Sequence, residues 1–558
     1  MTVATAVTPR PITLGDERPP PLWRRTLGGS PREGLARAGV VLASAVVIAG
    51  VVGRFLAPGG LWLDEALSVN IAKLPLVQLP GALVQDGSPP LYYLALHYWM
   101  LLFGQGDPAV RALSGIISTA TLPFLWAAGQ RAGGRRAAWA ALLLGASSPW
   151  AIYFGTDTRM YSLMALESIL WYLAVRRAME LPSRRRLIAL AAVTAALMYT
   201  HYWDLYLVAV GGAWLLVRSW VEHRSGMEHR SWVEHRSGVE HRPGEARPPE
   251  YPGAAAKSLA AMIGGGLVWL PWSPVFVFQA LHTGTPWAGA PSPADMLSVF
   301  GYFAGVGAWG YLLTFMTFGL VGLAIFAAPG PRATSVIVEF RAQPRARFVA
   351  LLVVGALSAA VLAGILTGAA FDNRYIAVVF PLFIVLCALG ITTFSSLKVT
   401  SLMLAVACTA GLLSAKDQNS QPRTQAVEVA AVLNAQAQPG DMIVYCPDQL
   451  GPAVDRLLKV PDVTQITFPR GIGPARVDWV NYVSRIQHTD VGNFAEGIVN
   501  KLNPGSTLWL VWRNGYLGLG GSCGYLTSWL QMLHPGGETL ITENPNYYED
   551  ENLVRWPS

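Results

Sequence analysis

The stretch FVALLVVGALSAAVLAGILTGAA, residues Phe348–Ala370, contains no charged residue and decides the class of fold. A run of about 20 apolar residues is long enough to cross the hydrocarbon core of a bilayer as a helix. Lipid offers no partners to backbone polar groups, so such a run should be helical, whereas a β-barrel would show short alternating segments. Because similar runs recur along the chain, the sequence predicts a multi-pass α-helical membrane protein.

The overall composition supports the same class. Of the 558 residues, 52% are hydrophobic and 13% are charged, whereas soluble domains average about 25% charged residues. The formal charge of +7 is unevenly divided, since residues 416–558 contain ten Lys and Arg against fourteen Asp and Glu, a net −4, which leaves +11 elsewhere. This excess lies in short loops between apolar runs, so it indicates membrane topology, and we expect no nucleic-acid partner.

The basic residues also orient the chain, because cytoplasmic loops carry the excess of Lys and Arg. Residues 1–35 are polar and rich in Pro and Arg, so we expect a disordered cytoplasmic leader before a first span at Ala36–Ala57. An external loop, residues 58–109, then follows. Its apolar segment Leu91–Phe103 is only about 13 residues long, which favours an interfacial or re-entrant helix over a span.

Counting Leu91–Phe103 as a span would place the clusters Arg131–Arg136 and Arg184–Arg186 outside, so we exclude that alternative. Successive spans must end on alternate sides of the membrane, and with the basic clusters kept inside this predicts about 11 spans within residues 36–415. The number is open by one near Phe300–Gly310. The predicted spans are Ala36–Ala57, Val110–Gly129, Ala137–Phe154, Tyr161–Val175, Leu187–Tyr199, a sixth that ends before Arg218, Lys257–Phe278, Tyr311–Ala328, Phe348–Ala370, Tyr375–Phe394 and Thr400–Ser414.

A near repeat, WVEHRSGMEHRSWVEHRSGVEHRPGE, lies in the predicted cytoplasmic loop, residues 218–256. Its histidines could suggest a metal site; they are His223, His229, His235 and His241. The neighbouring arginines would repel a cation, however, and a duplicated segment of this composition is typical of a solvated loop without packed structure. We favour the solvated loop.

Residues 416–558 are predicted to form a small extracytoplasmic α/β domain. Ala426–Ala437 has helical spacing, and Met442–Cys446 and Leu508–Trp512 are short apolar strands. Cys446 and Cys523 both lie in this domain, where oxidation is permitted, and the sequence leaves open whether they form a disulfide. The other two cysteines, Cys387 and Cys408, lie in predicted spans and are expected to be packing residues.

The external ends of the spans carry the ionisable residues that are candidates for function, because charge beside lipid is costly unless it is used. They are Asp64, Glu65 and Asp86 in the first loop, Asp157 and Arg159 in the next, His201, Tyr202 and Asp204 in the third, and Asp372, Asn373 and Arg374 before the tenth span. Carboxylates can accept a proton from an attacking hydroxyl or bind a divalent cation, and arginine binds phosphate bidentately. Each charge alone could simply mark a loop. As a set, they favour group transfer from a lipid-linked phosphate to a hydroxyl.

The segment Leu61–Phe103 resembles the first external loop of family-39-type glycosyltransferases of the GT-C superfamily, which include protein O-mannosyltransferases and lipid A aminoarabinose transferases. The family pattern Trp-x-Asp-Glu-x-x-Ser matches Trp62–Ser68. The pattern Asp-x-His-Pro-Pro-Leu-Tyr-Tyr matches Asp86–Tyr93, except that Ser88 stands where the family has His. Similarity continues over roughly the first 400 residues, through Arg111–Ser114, Asp157–Tyr161, Tyr199–Tyr202 and Asn373–Tyr375.

The resemblance implies a GT-C-like membrane glycosyltransferase with a polyprenyl-phosphate-linked sugar as donor and, by analogy, inversion at the sugar carbon. Asp64 would be the general base or would orient the acceptor, assisted by Glu65. The donor phosphate would be bound by Arg159, Arg374, Tyr161 and Tyr375, and the acceptor would be bound or supported by Asp86, Asp157, His201 and Tyr202. Asp64, Glu65 and Asp86 are also the candidate ligands of a divalent cation, Mg²⁺ or Mn²⁺.

The acceptor is left open by the sequence. The abundance of Ala, Gly, Arg and Pro is typical of high-GC bacteria, which favours a cell-envelope glycan or glycolipid hydroxyl, with protein Ser or Thr as the alternative. We therefore expect a bacterial plasma-membrane protein in contact with membrane lipids, with a cytoplasmic N-terminus and an extracytoplasmic C-terminal domain. A flippase, transporter or binding protein for lipid-linked sugars is the competing class, although a transporter should show charges deep in its spans and paired half-sequences, and neither is evident.

Overall fold

The computed structural model describes residues 31–233, 251, 253–283, 291–368, 371–372, 374–516 and 518–558. The chain divides into two units, Met1–Val46 and Val47–Ser558, and helix α1 (Pro31–Gly53) contains the boundary between them. Residues 1–30 of the predicted leader, and residues 234–250 and 252 of the predicted repeat loop, lie outside the described residues, so the disorder expected there stays a prediction. The expectation is wrong for residues 31–35, which begin α1, and for residues 218–233, which continue a helix that spans Asp204–Val233.

Three short helices follow α1 in the predicted external loop: α2 (Leu63–Ala72), α3 (Leu79–Asp86) and α4 (Leu91–Phe103). Every residue of α2 except Asp64 is buried. Helix α4 has the bounds predicted from the sequence; Tyr92 and Tyr93 are buried, whereas Leu102 is 77% exposed. The bounds predicted for this helix are confirmed, and its interfacial position stays a prediction.

The helices between residues 107 and 419 form the predicted membrane region. They are α5 (Asp107–Ala146), α6 (Pro149–Gly155), α7 (Tyr161–Glu180), α8 (Arg184–Thr200), α9 (Asp204–Val233), α10 (Ala254–Trp269), α11 (Ser273–His282), α12 (Asp295–Ala304), α13 (Gly307–Phe326), α14 (Arg347–Thr367), α15 (Phe380–Ile391) and α16 (Leu397–Asn419). Among the described residues, six helical stretches are long and apolar enough to span a membrane: Asp107–Ala146, Asp204–Arg224, Ala254–His282, Gly307–Phe326, Arg347–Thr367 and Leu397–Asn419. The multi-pass helical class is confirmed, and the total of about 11 spans stays a prediction.

Helix α5 is in fact two helices that meet at Gly134, whose φ of 75° and ψ of −167° are not helical. The two limbs touch through glycines. A Cβ added to Gly129 would lie 2.6 Å from the Ala137 carbonyl oxygen, and one added to Gly145 would lie 2.4 Å from Leu125. The limbs correspond to the second predicted span and most of the third.

Two elements of this region were not predicted as such. Helix α12 lies in the stretch where the span count was open, and at 10 residues it is shorter than the length needed to cross a bilayer. A small antiparallel hairpin of β1 (Ala327–Pro329) and β2 (Val336–Val338) lies between α13 and α14 and begins at the end of the predicted span Tyr311–Ala328. Segments this short give too little periodicity to be recognised from sequence alone.

The C-terminal region has the predicted α/β composition. Its strands are β3 (Met442–Cys446), β4 (Thr464–Thr467), β5 (Leu508–Trp512), β6 (Glu538–Ile541) and β7 (Asn552–Trp556), and its helices are α17 (Ala426–Gln436), α18 (Gly451–Asp455), α19 (Tyr482–His488), α20 (Val491–Lys501) and α21 (Ser522–Leu533). The sheet order is β4-β3-β5-β7-β6, with β3 parallel to both neighbours and β7 antiparallel to both of its own. A disulfide joins Cys446 to Cys523 in α21. The predicted domain boundary at residue 416 falls inside α16.

The C-terminal region rests directly on the external loop. The Asn70 side chain of α2 donates to the Ala475 carbonyl at 2.8 Å, and the Trp479 backbone N–H donates to the Gln85 carbonyl at 3.0 Å. Buried donors paired in this way fix the two segments against each other. The loop that carries the candidate residues is therefore covered by the C-terminal region.

Candidate active site

Asp64 is the central side chain of the site. It lies in the first turn of α2 and is the one residue of that helix that is not buried. Arg374 donates to Asp64 Oδ2, and Arg159 Nε lies 3.9 Å from the same oxygen. The three side chains are 12–14% exposed, so they meet in a nearly enclosed place. The sequence predicted that these three residues act together, and the structure brings them together.

Arg374 is oriented by its own local neighbour. Its Nε donates to Asp372 Oδ1 at 3.1 Å, and its Nη2 lies 3.3 Å from Asp372 Oδ2. The guanidinium also lies 5.8 Å from the centre of the Trp62 ring. A planar cation held by a carboxylate and near an aromatic face loses little additional freedom when it binds a phosphate.

Arg159 connects the two halves of the external-loop motif. Its Nη1 donates to Ser68 Oγ at 3.1 Å and to the Tyr93 hydroxyl at 3.3 Å. Ser68 in turn donates to the Asp64 carbonyl at 2.7 Å, and Tyr93 donates to Asp86 Oδ2 at 2.6 Å. The motif residues thus belong to one hydrogen-bond network centred on Arg159.

Asp86 lies at the end of this network. Burial raises its pKa, although Arg159 and the Tyr93 hydroxyl oppose the shift, and the Ser88 hydroxyl also bonds it. The serine that replaces the family histidine therefore contacts Asp86 directly. Asp86 thus interacts with Tyr93 and Arg159 in the structure, and its part in acceptor binding stays a prediction.

Three ring side chains lie beside the arginines. The His201 ring is 4.9 Å from that of Tyr375 and 6.4 Å from that of Tyr161. The Tyr161 hydroxyl and Arg159 Nε are buried, and neither has a hydrogen-bond partner among the described residues. Two buried donors without partners, next to two guanidinium groups, are suited to an anionic ligand such as a phosphate.

Glu65 is placed differently from its neighbour. It is fully buried, and both of its oxygens accept hydrogen bonds from Arg111, at 2.8 and 2.6 Å. The Thr158 backbone N–H adds a bond of 3.0 Å, and Arg423 lies 3.7 Å away. Burial would raise the pKa of Glu65, but Arg111 and Arg423 reverse the shift and lower it. These contacts fit a residue that positions α2, not the catalytic role predicted for Glu65.

Asp157 belongs to the same buried cluster. Its Oδ1 accepts from Trp62 Nε1 and from Arg423 Nη1, both at 3.2 Å. Burial raises the pKa of Asp157 to about 6, against the opposing effect of Arg423. Arg423 was missed by the sequence analysis, because it lies 266 residues from Asp157 along the chain and no local pattern marks it.

Tyr202 and His201 are adjacent in sequence, but their side chains contact different parts of the protein. The Tyr202 hydroxyl donates to Gln279 of α11 and accepts from Trp272 Nε1 at 3.1 Å. These contacts turn Tyr202 toward α10 and α11, so the structure does not place it with Asp64. His201 remains with the predicted donor-binding tyrosines.

The carboxylates proposed as metal ligands do not converge. Among the described residues, no group of three or more His, Cys, Asp or Glu is arranged to hold a metal ion. Both oxygens of Glu65 are occupied by Arg111, Asp64 pairs with Arg374, and Asp86 accepts from Tyr93. These residues do not fit the three-carboxylate Mg²⁺ or Mn²⁺ site that was predicted.

A cavity of about 320 Å³ opens beside Asp64. One side is formed by Trp62, Leu63, Asp64, Asp372 and Arg374, and the other by Gln449, Trp479, Arg513, Gly515, Tyr516, Tyr548 and Glu549 of the C-terminal region. Glu549 also accepts hydrogen bonds of 3.3 and 3.2 Å from the Leu63 backbone N–H. None of the C-terminal residues was predicted, because no motif marks them and only the fold brings them to α2.

Comparisons with known proteins give one matching family model and several similar folds. Residues 87–228 match the family model described as dolichyl-phosphate-mannose-protein mannosyltransferase. No curated protein matches the chain by sequence. Among solved structures, ArnT from Cupriavidus metallidurans bound to undecaprenyl phosphate has a TM-score of 0.53 at 13% identity over 94% of this chain and 98% of that one.

Two further structures are similar. ArnT from the same organism in the apo state has a TM-score of 0.52 at 14% identity, with the same coverage of 94% and 98%. The oligosaccharyltransferase of Archaeoglobus fulgidus in complex with Zn and sulfate has a TM-score of 0.47 at 11% identity over 84% of this chain and 67% of that one. The chain therefore has an ArnT-like fold, which agrees with the fold implied by the resemblance in its first external loop.

Proposed function

We propose that the protein is a membrane glycosyltransferase that moves a sugar from a polyprenyl-phosphate-linked donor to a hydroxyl acceptor at the external membrane face. The observation that carries this proposal is the position of Asp64 between Arg159 and Arg374, beside the cavity. A carboxylate can accept a proton, and two guanidinium groups can bind a phosphate that leaves with negative charge. The site therefore contains both a group that can accept the proton of the acceptor hydroxyl and groups that can bind the leaving phosphate.

The donor class is supported by the similar proteins. ArnT from Cupriavidus metallidurans is named as bound to undecaprenyl phosphate, and the matching family model is named for dolichyl-phosphate-mannose. Both lipids carry a phosphate on a polyprenyl chain. The unpartnered Tyr161 hydroxyl and Arg159 Nε would then bind phosphate oxygens beside Arg374.

In the proposed reaction, the oxygen of the acceptor hydroxyl forms a bond to the anomeric carbon as the bond from that carbon to the phosphate oxygen breaks. The hydroxyl proton passes to Asp64. The lipid phosphate keeps the bonding electrons, and Arg159 and Arg374 stabilise its charge in the nearly enclosed site. Glu65 takes no direct part, and it keeps α2 in place through Arg111.

Arg374 donates to Asp64 Oδ2. A bound phosphate would compete for the same guanidinium and release the Asp64 carboxylate toward the acceptor. Donor binding would thereby free Asp64 to act as the base.

We further propose that the acceptor is the hydroxyl of a cell-envelope glycan or glycolipid, with protein Ser or Thr as the alternative. The protein would then lie in a bacterial plasma membrane, with its N-terminus cytoplasmic and its C-terminal region outside.

The test is transfer by the purified protein in lipid nanodiscs, assayed against a panel of polyprenyl-phosphate sugars with glycan, glycolipid and peptide acceptors. Asp64→Asn should express normally and lower kcat by about 10² or more, because a positioned base contributes about that factor. Asp417→Asn, at an exposed aspartate in α16, is the matched control and should leave transfer unchanged. Normal transfer by Asp64→Asn would overturn the role of base.

The same assay separates the enzyme from the competing class. A flippase or binding protein would bind the lipid-linked sugar without releasing free lipid phosphate. Assays with EDTA, Mg²⁺ and Mn²⁺ test the divalent cation that the sequence predicted. We expect transfer to persist in EDTA because Glu65 and Asp86 are already engaged by Arg111 and Tyr93.

A further inference from the structure

The C-terminal side of the cavity is not used by the donor phosphate in the proposed reaction. Arg159, Arg374 and Tyr161 all come from the membrane region, whereas Gln449, Arg513 and the opposite wall come from the C-terminal region. Asp64 lies between the two. A base at this boundary must touch the acceptor hydroxyl, so the space beyond Asp64 remains for the body of the acceptor.

Gln449 is the side chain in this wall that points to a ligand. It is 3% exposed and lines the cavity, yet its Oε1 has no hydrogen-bond partner among the described residues. Leaving a buried carbonyl oxygen unpaired costs free energy, so such groups are normally satisfied by protein, water or ligand. A hydroxyl of a bound molecule would supply the missing donor.

Aromatic rings also line the cavity, among them Trp62, Trp479 and Tyr548. Trp62 contacts Tyr548 edge-on at a centroid distance of 5.3 Å, and Trp479 packs on Tyr482 at 5.0 Å. Flat apolar walls with a few fixed polar groups are typical of sites for small ligands, and aromatic side chains add contact area at little entropic cost. A sugar ring has the matching chemistry, since it presents apolar C–H faces and a rim of hydroxyls.

Among the described residues, the C-terminal side of the cavity offers no free cation to an anionic acceptor. Arg513 lines this side and is paired with Asp550. Arg374 lies on the opposite side, where the proposed reaction assigns it to the donor phosphate. A phosphorylated or carboxylated acceptor would therefore lack a cationic partner here.

We propose that the C-terminal region forms the acceptor subsite of this cavity, that the subsite takes the neutral saccharide end of a glycan, and that Gln449 accepts a hydrogen bond from one of its hydroxyls. The proposal rests on the proposed glycosyltransferase function and deepens it. At about 320 Å³ the cavity is at the lower end of the range for small-molecule sites, so it suits a terminal sugar better than an extended peptide.

The experiment measures saccharide binding without requiring transfer. The full-length protein in nanodiscs is titrated with a panel of neutral arabinosyl, mannosyl, galactosyl, glucosyl and rhamnosyl oligosaccharides, with phosphorylated forms of the same sugars, and with Ser/Thr peptides. Neutral saccharides should bind, and Gln449→Met should weaken the tightest of them about 5- to 10-fold, which corresponds to one neutral hydrogen bond. The matched control, Gln487→Met at an exposed glutamine of α19, should bind as the unaltered protein does.

Methionine has nearly the same length as glutamine, so Gln449→Met should preserve the fold. Gln449→Asn, which retracts the amide, gives a second variant with the same expected loss. Binding only of phosphorylated sugars, only of peptides or of none of the probes would overturn the proposal. An equal effect of Gln449→Met and Gln487→Met would do the same.

Asp64→Asn distinguishes failure of this subsite from failure of the proposed function. That variant should still bind the neutral saccharide while it loses transfer. If Asp64→Asn transferred sugar normally, the proposed function would fail, but the Gln449 result would still decide the subsite. With an active transferase, Gln449→Met should raise the KM of the acceptor and leave the KM of the donor unchanged.

Discussion

At the scale of the residue, the contrast between Asp64 and Glu65 shows how burial assigns roles to adjacent carboxylates. Asp64 is the one residue of α2 that is not buried, and its partners can be displaced by a ligand. Glu65 points the other way and is bonded on both oxygens by a buried arginine. Breaking a buried pair of this kind costs several kcal/mol because it leaves a charge without compensation. Loss of Glu65 should therefore lower the amount of folded protein, and loss of Asp64 should lower turnover.

Arg374 gives a prediction at the same scale. Arg374→Lys keeps the positive charge but loses the planar fork that can bind two phosphate oxygens, so kcat/KM for the donor should fall about 10-fold. Arg374→Ala should lower it by about 10² or more, since it removes the charge that stabilises the leaving phosphate. The measurement is donor-dependent kinetics in nanodiscs.

Arg555→Lys is the matched control for Arg374, because Arg555 forms an exposed ion pair with Glu538 on the C-terminal sheet. Exposed pairs of this kind contribute little to stability. If Arg374→Lys left donor kinetics as unchanged as this control, phosphate binding by Arg374 would be excluded.

At the scale of the element, α2 is held at its first turn by the C-terminal region. Glu549 accepts from the Leu63 backbone N–H, one residue before Asp64, and its own backbone N–H donates to the Arg423 carbonyl at 2.9 Å. Arg423 in turn reaches Glu65 and Asp157. Residues 423 and 549, which contact each other, therefore support α2 together. Glu549 binds the Leu63 backbone N–H, and Arg423 lies beside Glu65.

Glu549→Ala should therefore displace the first turn of α2 and lower kcat about 10-fold, because small shifts of a catalytic group are costly. Glu549→Gln retains an oxygen that can accept from Leu63 and should restore most of kcat. The control is Glu538→Ala, at a carboxylate that is 57% exposed. A kcat that was equally low in both Glu549 variants would show that α2 requires the carboxyl group itself, and that an oxygen that accepts from the Leu63 N–H is not sufficient.

Glu549 also makes stability depend on pH. Burial raises its pKa to about 8, Asp64 adds to the shift, and Thr424, the Leu63 N–H and Arg513 oppose it. Because the folded pKa lies above the ordinary value of 4.5, the folded protein holds a proton that the unfolded chain releases. This contribution to stability is complete below about pH 4.5 and is lost as pH rises toward 8. Thermal unfolding from pH 5 to pH 9 should show a smaller decline in Glu549→Gln than in the unaltered protein; identical declines would contradict the assignment.

At the scale of the whole molecule, the sequence predicted the parts that local pattern encodes. The apolar runs predicted the multi-pass helices, the length of Leu91–Phe103 predicted a short helix with those bounds, and the strands Met442–Cys446 and Leu508–Trp512 are observed as predicted. The external-loop motif also identified Asp64, and the charged residues at the external ends of later spans identified Arg159 and Arg374. These features depend on hydropathy, length and short motifs, which a single sequence contains.

The rest depends on contacts between distant parts of the chain. The pair of Glu65 and Arg111, the contact of Arg423 with Asp157 and the bond of Glu549 to Leu63 join residues 46, 266 and 486 positions apart. Nothing in the local sequence distinguishes these residues from other charged residues. The sequence predicted Asp64 and Glu65 to be a catalytic pair because they are adjacent. Successive side chains of a helix point in different directions, however, and only the structure shows which of the two is buried against Arg111.

The disulfide provides a prediction for the molecule as a whole, because it fixes the C-terminal wall of the cavity. Cys446 ends β3 three residues before Gln449, and its bond to Cys523 closes a segment with a separation of 77 residues. Closing a loop of this length stabilises a fold by about 4 kcal/mol, mainly by restricting the unfolded chain. The double variant Cys446→Ser, Cys523→Ser should therefore lower Tm and weaken neutral-saccharide binding, while the membrane helices remain folded by circular dichroism. The control is Cys387→Ala, Cys408→Ala, which removes the two buried free cysteines of the membrane region and should leave saccharide binding intact. Unchanged Tm and saccharide binding in the serine variant would show that the wall holds its shape without the disulfide, and that packing within the C-terminal sheet is sufficient to position Gln449.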